Sequence, residues 1–107
     1  MSEFITVATT DELNAGDPPI VVEIGNKWVA IYNVSGEYCA IEDVCTHDGN
    51  PLADGEVEDG VVICPRHGAK FDICTGKVLS APAYSDVPTY QTRVVGNEIQ
   101  IGTVNKR

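Results

Sequence analysis

A chain of 107 residues with sixteen acidic and seven basic side chains, formal charge −9, has room for one domain with a hydrophobic core of modest size. With 43% hydrophobic and 21% charged residues its composition is that of a folded soluble protein, neither disordered nor membrane-spanning. Its charge repels nucleic-acid phosphates and anionic lipid surfaces, so neither nucleic acid nor membrane is an expected partner; a basic patch on another protein is attracted instead, and solubility alone would also account for the acidity.

The opening stretch, MSEFITVATTDEL, has no basic region ahead of an apolar run, and no apolar run anywhere reaches the length of a membrane helix, so a cytoplasmic protein is expected. Thr9-Thr10-Asp11-Glu12 has the form of a capping box, with Thr9 as N-cap and Glu12 three positions on. Gly16 and Pro18 follow closely, so about one helical turn is predicted. Val21 to Ile24, then Gly25-Asn26, then Lys27 to Tyr32 reads as a hairpin with a glycine-first turn. A strand is predicted over 37–41 after the Ser35-Gly36 turn, and another over 61–63 before Cys64. A second hairpin runs from Thr92 to Val95, turns at Gly96-Asn97 and returns over Glu98 to Ile101. Trp28, Tyr32, Ile99 and Ile101 read as core or half-buried strand positions, and the whole as one all-β domain.

Between Cys45 and Ala83 the strand pattern breaks into a stretch rich in Gly and Pro. It is expected to lack the contiguous apolar residues that would order its loops by packing, and a metal centre is the natural substitute. Its two ends supply the candidates: Cys45-Thr46-His47, then sixteen residues, then Cys64-Pro65-Arg66-His67, using both histidines of the chain. Thiolate and imidazole hold soft or borderline metals, so zinc and iron both come into view. In a familiar zinc finger one knuckle gives both cysteines and a helix both histidines; here each loop gives one of each. Such a division lets each loop give Cys to one metal and His to a second beside it.

The remaining cysteines, Cys39 in a predicted strand and Cys74 in a turn before Gly76, are expected to be buried or inert thiols. Disulfides are not expected in a reducing cytoplasm. The carboxylates of Asp54, Glu56, Glu58 and Asp59 read as a solvated loop.

The C-x-H-x16-C-x2-H pattern, with its CTHDG and CPRHG boxes and the following AKFDICTGKVLSAPA, resembles the Rieske [2Fe-2S] proteins over essentially the whole chain. The resemblance implies the Rieske fold over residues 1–107: an antiparallel β-sandwich or barrel base with an inserted, loop-rich cluster-binding subdomain at about 43–83. It implies one [2Fe-2S] cluster, with Cys45 and Cys64 on the inner iron and His47 and His67 on the outer one. Two thiolates and two neutral imidazoles make the oxidised centre neutral, which eases addition of an electron relative to four thiolates. Where high-potential members carry an extra cysteine in each box and a serine after the second, this chain has Asn50, Arg66 and Ala69. A potential at the low end of the family range is therefore expected, and Pro82 matches the loop that shields the cluster.

A Rieske oxygenase needs a second iron bound by two further histidines and a carboxylate, and no histidine remains for that or for general-base work. The resemblance thus implies a monomeric one-electron carrier and no catalytic residues. Its expected partners are a flavin-containing NAD(P)H-dependent ferredoxin reductase and a terminal oxygenase, such as an aromatic-ring-hydroxylating dioxygenase. The alternatives are a small subunit of an assimilatory nitrite reductase and a zinc-stabilised β domain.

Overall fold

The computed structural model describes residues 3–46 and 49–105, and side chains as far as Thr103. The order is β1 (Phe4–Thr9), a 3-10 turn (Thr10–Glu12), β2 (Ile20–Ile24), β3 (Lys27–Val34), β4 (Glu37–Glu42), β5 (Val57–Glu58), β6 (Val61–Ile63), β7 (Lys70–Asp72), β8 (Thr89–Val95) and β9 (Glu98–Asn105). Six strands form one antiparallel sheet, in the order β1-β9-β8-β4-β3-β2, and β5-β6-β7 form a second. Among the described residues no helix is long and apolar enough to cross a membrane.

Both predicted hairpins form. In the first, Ile24 pairs with Lys27 across Gly25 at φ +63°; in the second, Val95 pairs with Glu98 across Gly96 at φ +64°. Glycine as the first central residue matches the turn twist to the strand twist. The predicted single turn is present, with the Glu12 carboxylate accepting the Thr9 amide at 2.8 Å.

The middle strands β3 and β4 are buried on both faces, which explains the unbroken apolar run Val29-Ala30-Ile31-Tyr32. Val29, Ile31 and Ala40 pack with Leu13, Tyr90, Ile99 and Ile101 on one side. Ala30, Tyr32, Cys39 and Ile41 face the other way, onto Leu52, Val62, Phe71 and Ile73 from the inserted region. This partly corrects the expectation that the Gly/Pro-rich stretch lacks enough contiguous apolar residues to order its loops by packing alone. These four side chains are completely buried, each worth about 1.5–3 kcal/mol. Their spacing is irregular, but Val62 and Phe71 are paired across β6 and β7, and Leu52 and Ile73 join them from the flanking loops. Trp28 is a second correction: it is 54% exposed. It shares the strand face of Ala30, but the covering layer ends before reaching it.

Candidate metal centre

Two loops carry the Cys/His boxes, and their backbones repeat one another. In the first, the Cys45 amide donates to the Asn50 carbonyl at 2.7 Å and the Gly49 amide to the Cys45 carbonyl at 2.7 Å. In the second, the Cys64 amide donates to the Ala69 carbonyl at 2.7 Å and the Gly68 amide to the Cys64 carbonyl at 3.0 Å. The offsets from each cysteine are identical, and both closing glycines have positive φ, +76° at Gly49 and +80° at Gly68. A Cβ at either would touch nothing within 4 Å, so glycine is required there for its backbone conformation and not for space.

Each loop is fastened from outside. The Asp43 carboxylate accepts the amides of Leu52 and Ala53 at 2.7 and 2.8 Å, closing the first loop onto the end of β4. The Thr46 hydroxyl donates to the Ser85 carbonyl at 2.6 Å, tying that loop to the 81–86 segment that contains Pro82. The second loop joins β6 to β7, whose register sets Ile63 opposite Lys70. Asp72 then folds the next turn, accepting the amides of Cys74 and Thr75 at 3.1 and 3.0 Å.

Burial separates the candidate ligands. Cys45 and Cys64 are 0% and 1% exposed, whereas His67 is exposed. His47, the fourth candidate, lies outside the described residues. Ala69 is fully buried, Asn50 half-buried and Arg66 exposed. The carboxylates of Asp54, Glu56, Glu58 and Asp59 are all exposed, as a solvated loop would be. Asp43, Thr46 and the paired carbonyls of Asn50 and Ala69 escaped sequence reasoning, because each bonds to a backbone group and backbone partners leave no residue-type signature.

Cys39 and Cys74 overturn their expectation. They form a disulfide, with Cα atoms 5.0 Å apart, joining β4 to the turn after β7. They are 35 positions apart in sequence, and only the packing of the inserted region onto the large sheet brings them together. The disulfide uses positions other than Asn50 and Arg66, where high-potential members carry their bridge.

Two equivalent loops, each with a buried cysteine, on an all-β scaffold suit a protein of the cysteine–histidine metal-centre class. The Rieske [2Fe-2S] domain family matches residues 3–91, and the chain belongs to that family, whose members hold one [2Fe-2S] cluster. The chain is 34% identical to the ferredoxin component of the naphthalene 1,2-dioxygenase/salicylate 5-hydroxylase systems of Ralstonia sp, over 92% of this chain and 93% of that protein. Among solved structures, the complex of reduced oxygenase and oxidized ferredoxin in carbazole 1,9a-dioxygenase includes a chain that matches with TM-score 0.91 at 28% identity, covering 97% and 96% of the two chains. Apo dicamba monooxygenase matches with TM-score 0.82 at 25% identity, over 95% of this chain but 33% of that one.

Proposed function

We propose that this protein is the ferredoxin of a multicomponent oxygenase system, a one-electron carrier that is not itself an enzyme. It receives electrons from a flavin-containing NAD(P)H reductase and delivers them to a terminal oxygenase of the aromatic-ring-hydroxylating kind. The observation that carries this reading is the pair of equivalent loops, each with a buried cysteine, one of them bearing the exposed His67. Cys45 and Cys64 would hold the inner iron and His47 and His67 the outer one of a [2Fe-2S] cluster, which supplies reversible one-electron chemistry when bound.

The chain's own residues fit that group. Burial keeps water from the two cysteine sulfurs, the loop carbonyls fix the cysteine backbones, and the exposed His67 edge gives an electron a short path to a docked partner. The ferredoxin component of the naphthalene 1,2-dioxygenase/salicylate 5-hydroxylase systems, matched over nearly its whole length, supports the carrier reading. We read it as a cytoplasmic monomer that meets each partner in turn.

Anaerobically purified protein is expected to contain two irons and two acid-labile sulfides, to give a reduced-state paramagnetic resonance signal, and to support turnover when mixed with reductase and oxygenase. Colourless protein with zinc would overturn the metal assignment. An intact cluster that no oxygenase of this class can oxidise would overturn the partner assignment alone.

A further inference from the structure

We propose that Cys39 and Cys74 are a thiol–disulfide exchange site, and that their bond is a reversible latch between the large sheet and the layer that carries the second Cys/His loop. The inference is independent of the carrier role. It rests on where the pair lies: Cys39 on β4 in the middle of the six-stranded sheet, Cys74 in the turn that ends β7. β7 continues directly from the second loop, and Phe71 on it is fully buried against the same core as Cys39. No backbone ladder joins β4 to β7, and the disulfide cross-links the two sheets in addition to the chain connections at either end of the inserted region.

The two sulfurs differ in access. Cys39 is 7% exposed, whereas Cys74 is half-buried at the surface of its turn. An incoming thiolate, from a small cellular thiol or a dithiol oxidoreductase, therefore attacks the Cys74 sulfur. The Cys39–Cys74 bond breaks, a mixed disulfide forms on Cys74, and Cys39 leaves as a thiolate that takes up a proton. A second external thiol then displaces Cys74, so that one protein disulfide and two thiols become two protein thiols and one external disulfide.

Glu37 sets the rate. A carboxylate oxygen of Glu37 and the two sulfurs lie within 4.8 Å of one another. Negative charge released on buried Cys39 forms beside that carboxylate, which disfavours the leaving group and slows the opening of the pair.

The test uses the cluster-loaded protein, purified without thiols and equilibrated in glutathione buffers of increasing reducing ratio. Samples are quenched in acid, labelled with a maleimide and mapped by mass spectrometry. At oxidising ratios Cys39 and Cys74 are expected as one cross-linked peptide pair; at reducing ratios both acquire label together. In Cys39→Ser, glutathione is expected on Cys74, and Glu37→Gln is expected to speed exchange in the wild-type pair several-fold. Opening the latch is expected to speed iron loss to a ferrous chelator several-fold, while Cys39→Ala/Cys74→Ala protein loses iron fast at every ratio. Independent labelling of the two cysteines at all ratios would overturn the site, as would a third metal bound by Glu37, Cys39 and Cys74. Iron loss indifferent to the state of the pair would overturn the latch. Thiol mapping reads the same whether or not an oxygenase accepts the electron.

Discussion

Ala69 is fully buried, and its carbonyl is committed to the Cys64 amide. Its methyl donates no hydrogen bond, and the exposed Arg66 and half-buried Asn50 occupy the positions of the bracing cysteines. With fewer groups stabilising added charge, the potential is expected near −150 mV, roughly the floor of the Rieske range, and a redox titration above about +100 mV would contradict this. Ala69→Ser is expected to raise it by about 60 mV, because one hydrogen bond favouring the reduced state by about 1.4 kcal/mol corresponds to 59 mV for one electron. Tyr32 makes a different prediction. Its hydroxyl is buried with no hydrogen-bond partner among the described residues. Burial first, and the charge of Asp43 second, push its ionisation well above the ordinary tyrosine range. The folded protein then keeps a proton that the unfolded chain releases near pH 10, so stability holds below about pH 10 and falls above it. Tyr32→Phe is expected to flatten that alkaline fall in apparent Tm without lowering the value at pH 7.5, because no protein hydrogen bond is lost.

At the scale of elements, the equivalence of the two loops predicts equivalent sensitivity. Gly49→Ala and Gly68→Ala each force an L-residue to positive φ in open space, a cost of about 1–2 kcal/mol, and apparent Tm should drop by similar amounts in the two variants. Gly76→Ala should cost clearly more, since its Cβ would lie 2.2 Å from the Val87 carbonyl oxygen and 2.7 Å from Thr89 Cγ2. Thermal melts that ranked Gly76→Ala as mildest would contradict this packing. Which elements were legible in the sequence follows the same local logic. The two Gly-Asn hairpins, β4 and β6 announce themselves through alternation and adjacent turn residues. β1 does not, because its partner β9 lies at the other end of the chain. β5 and β7 are two and three residues long, lack the β-branched run of β6, and are strands only because each pairs with β6. The Cys/His spacing was readable because ligand chemistry restricts residue type. The Cys39–Cys74 bond was not, because it depends on one layer packing on another.

Over the whole molecule the charge of −9 produces a field that no single carboxylate determines. Asp54, Glu56, Glu58 and Asp59 are exposed together on β5 and its flanks, where water screens each of them individually. Their common sign still attracts a basic partner surface at distances up to the Debye length, about 10 Å at 0.1 M salt and about 3 Å at 1 M. For the proposed carrier, which would find a reductase, leave it and find an oxygenase, such attraction accelerates encounter without requiring tight binding. The second-order rate of electron transfer with each partner is therefore expected to fall by roughly tenfold or more between about 0.02 M and 0.5 M salt, while the potential stays nearly constant. Stopped-flow measurement at several ionic strengths, paired with a redox titration at each, separates the two quantities. A rate that is flat or rises with salt would mean that the partners dock through apolar contact and that the acidity serves solubility alone.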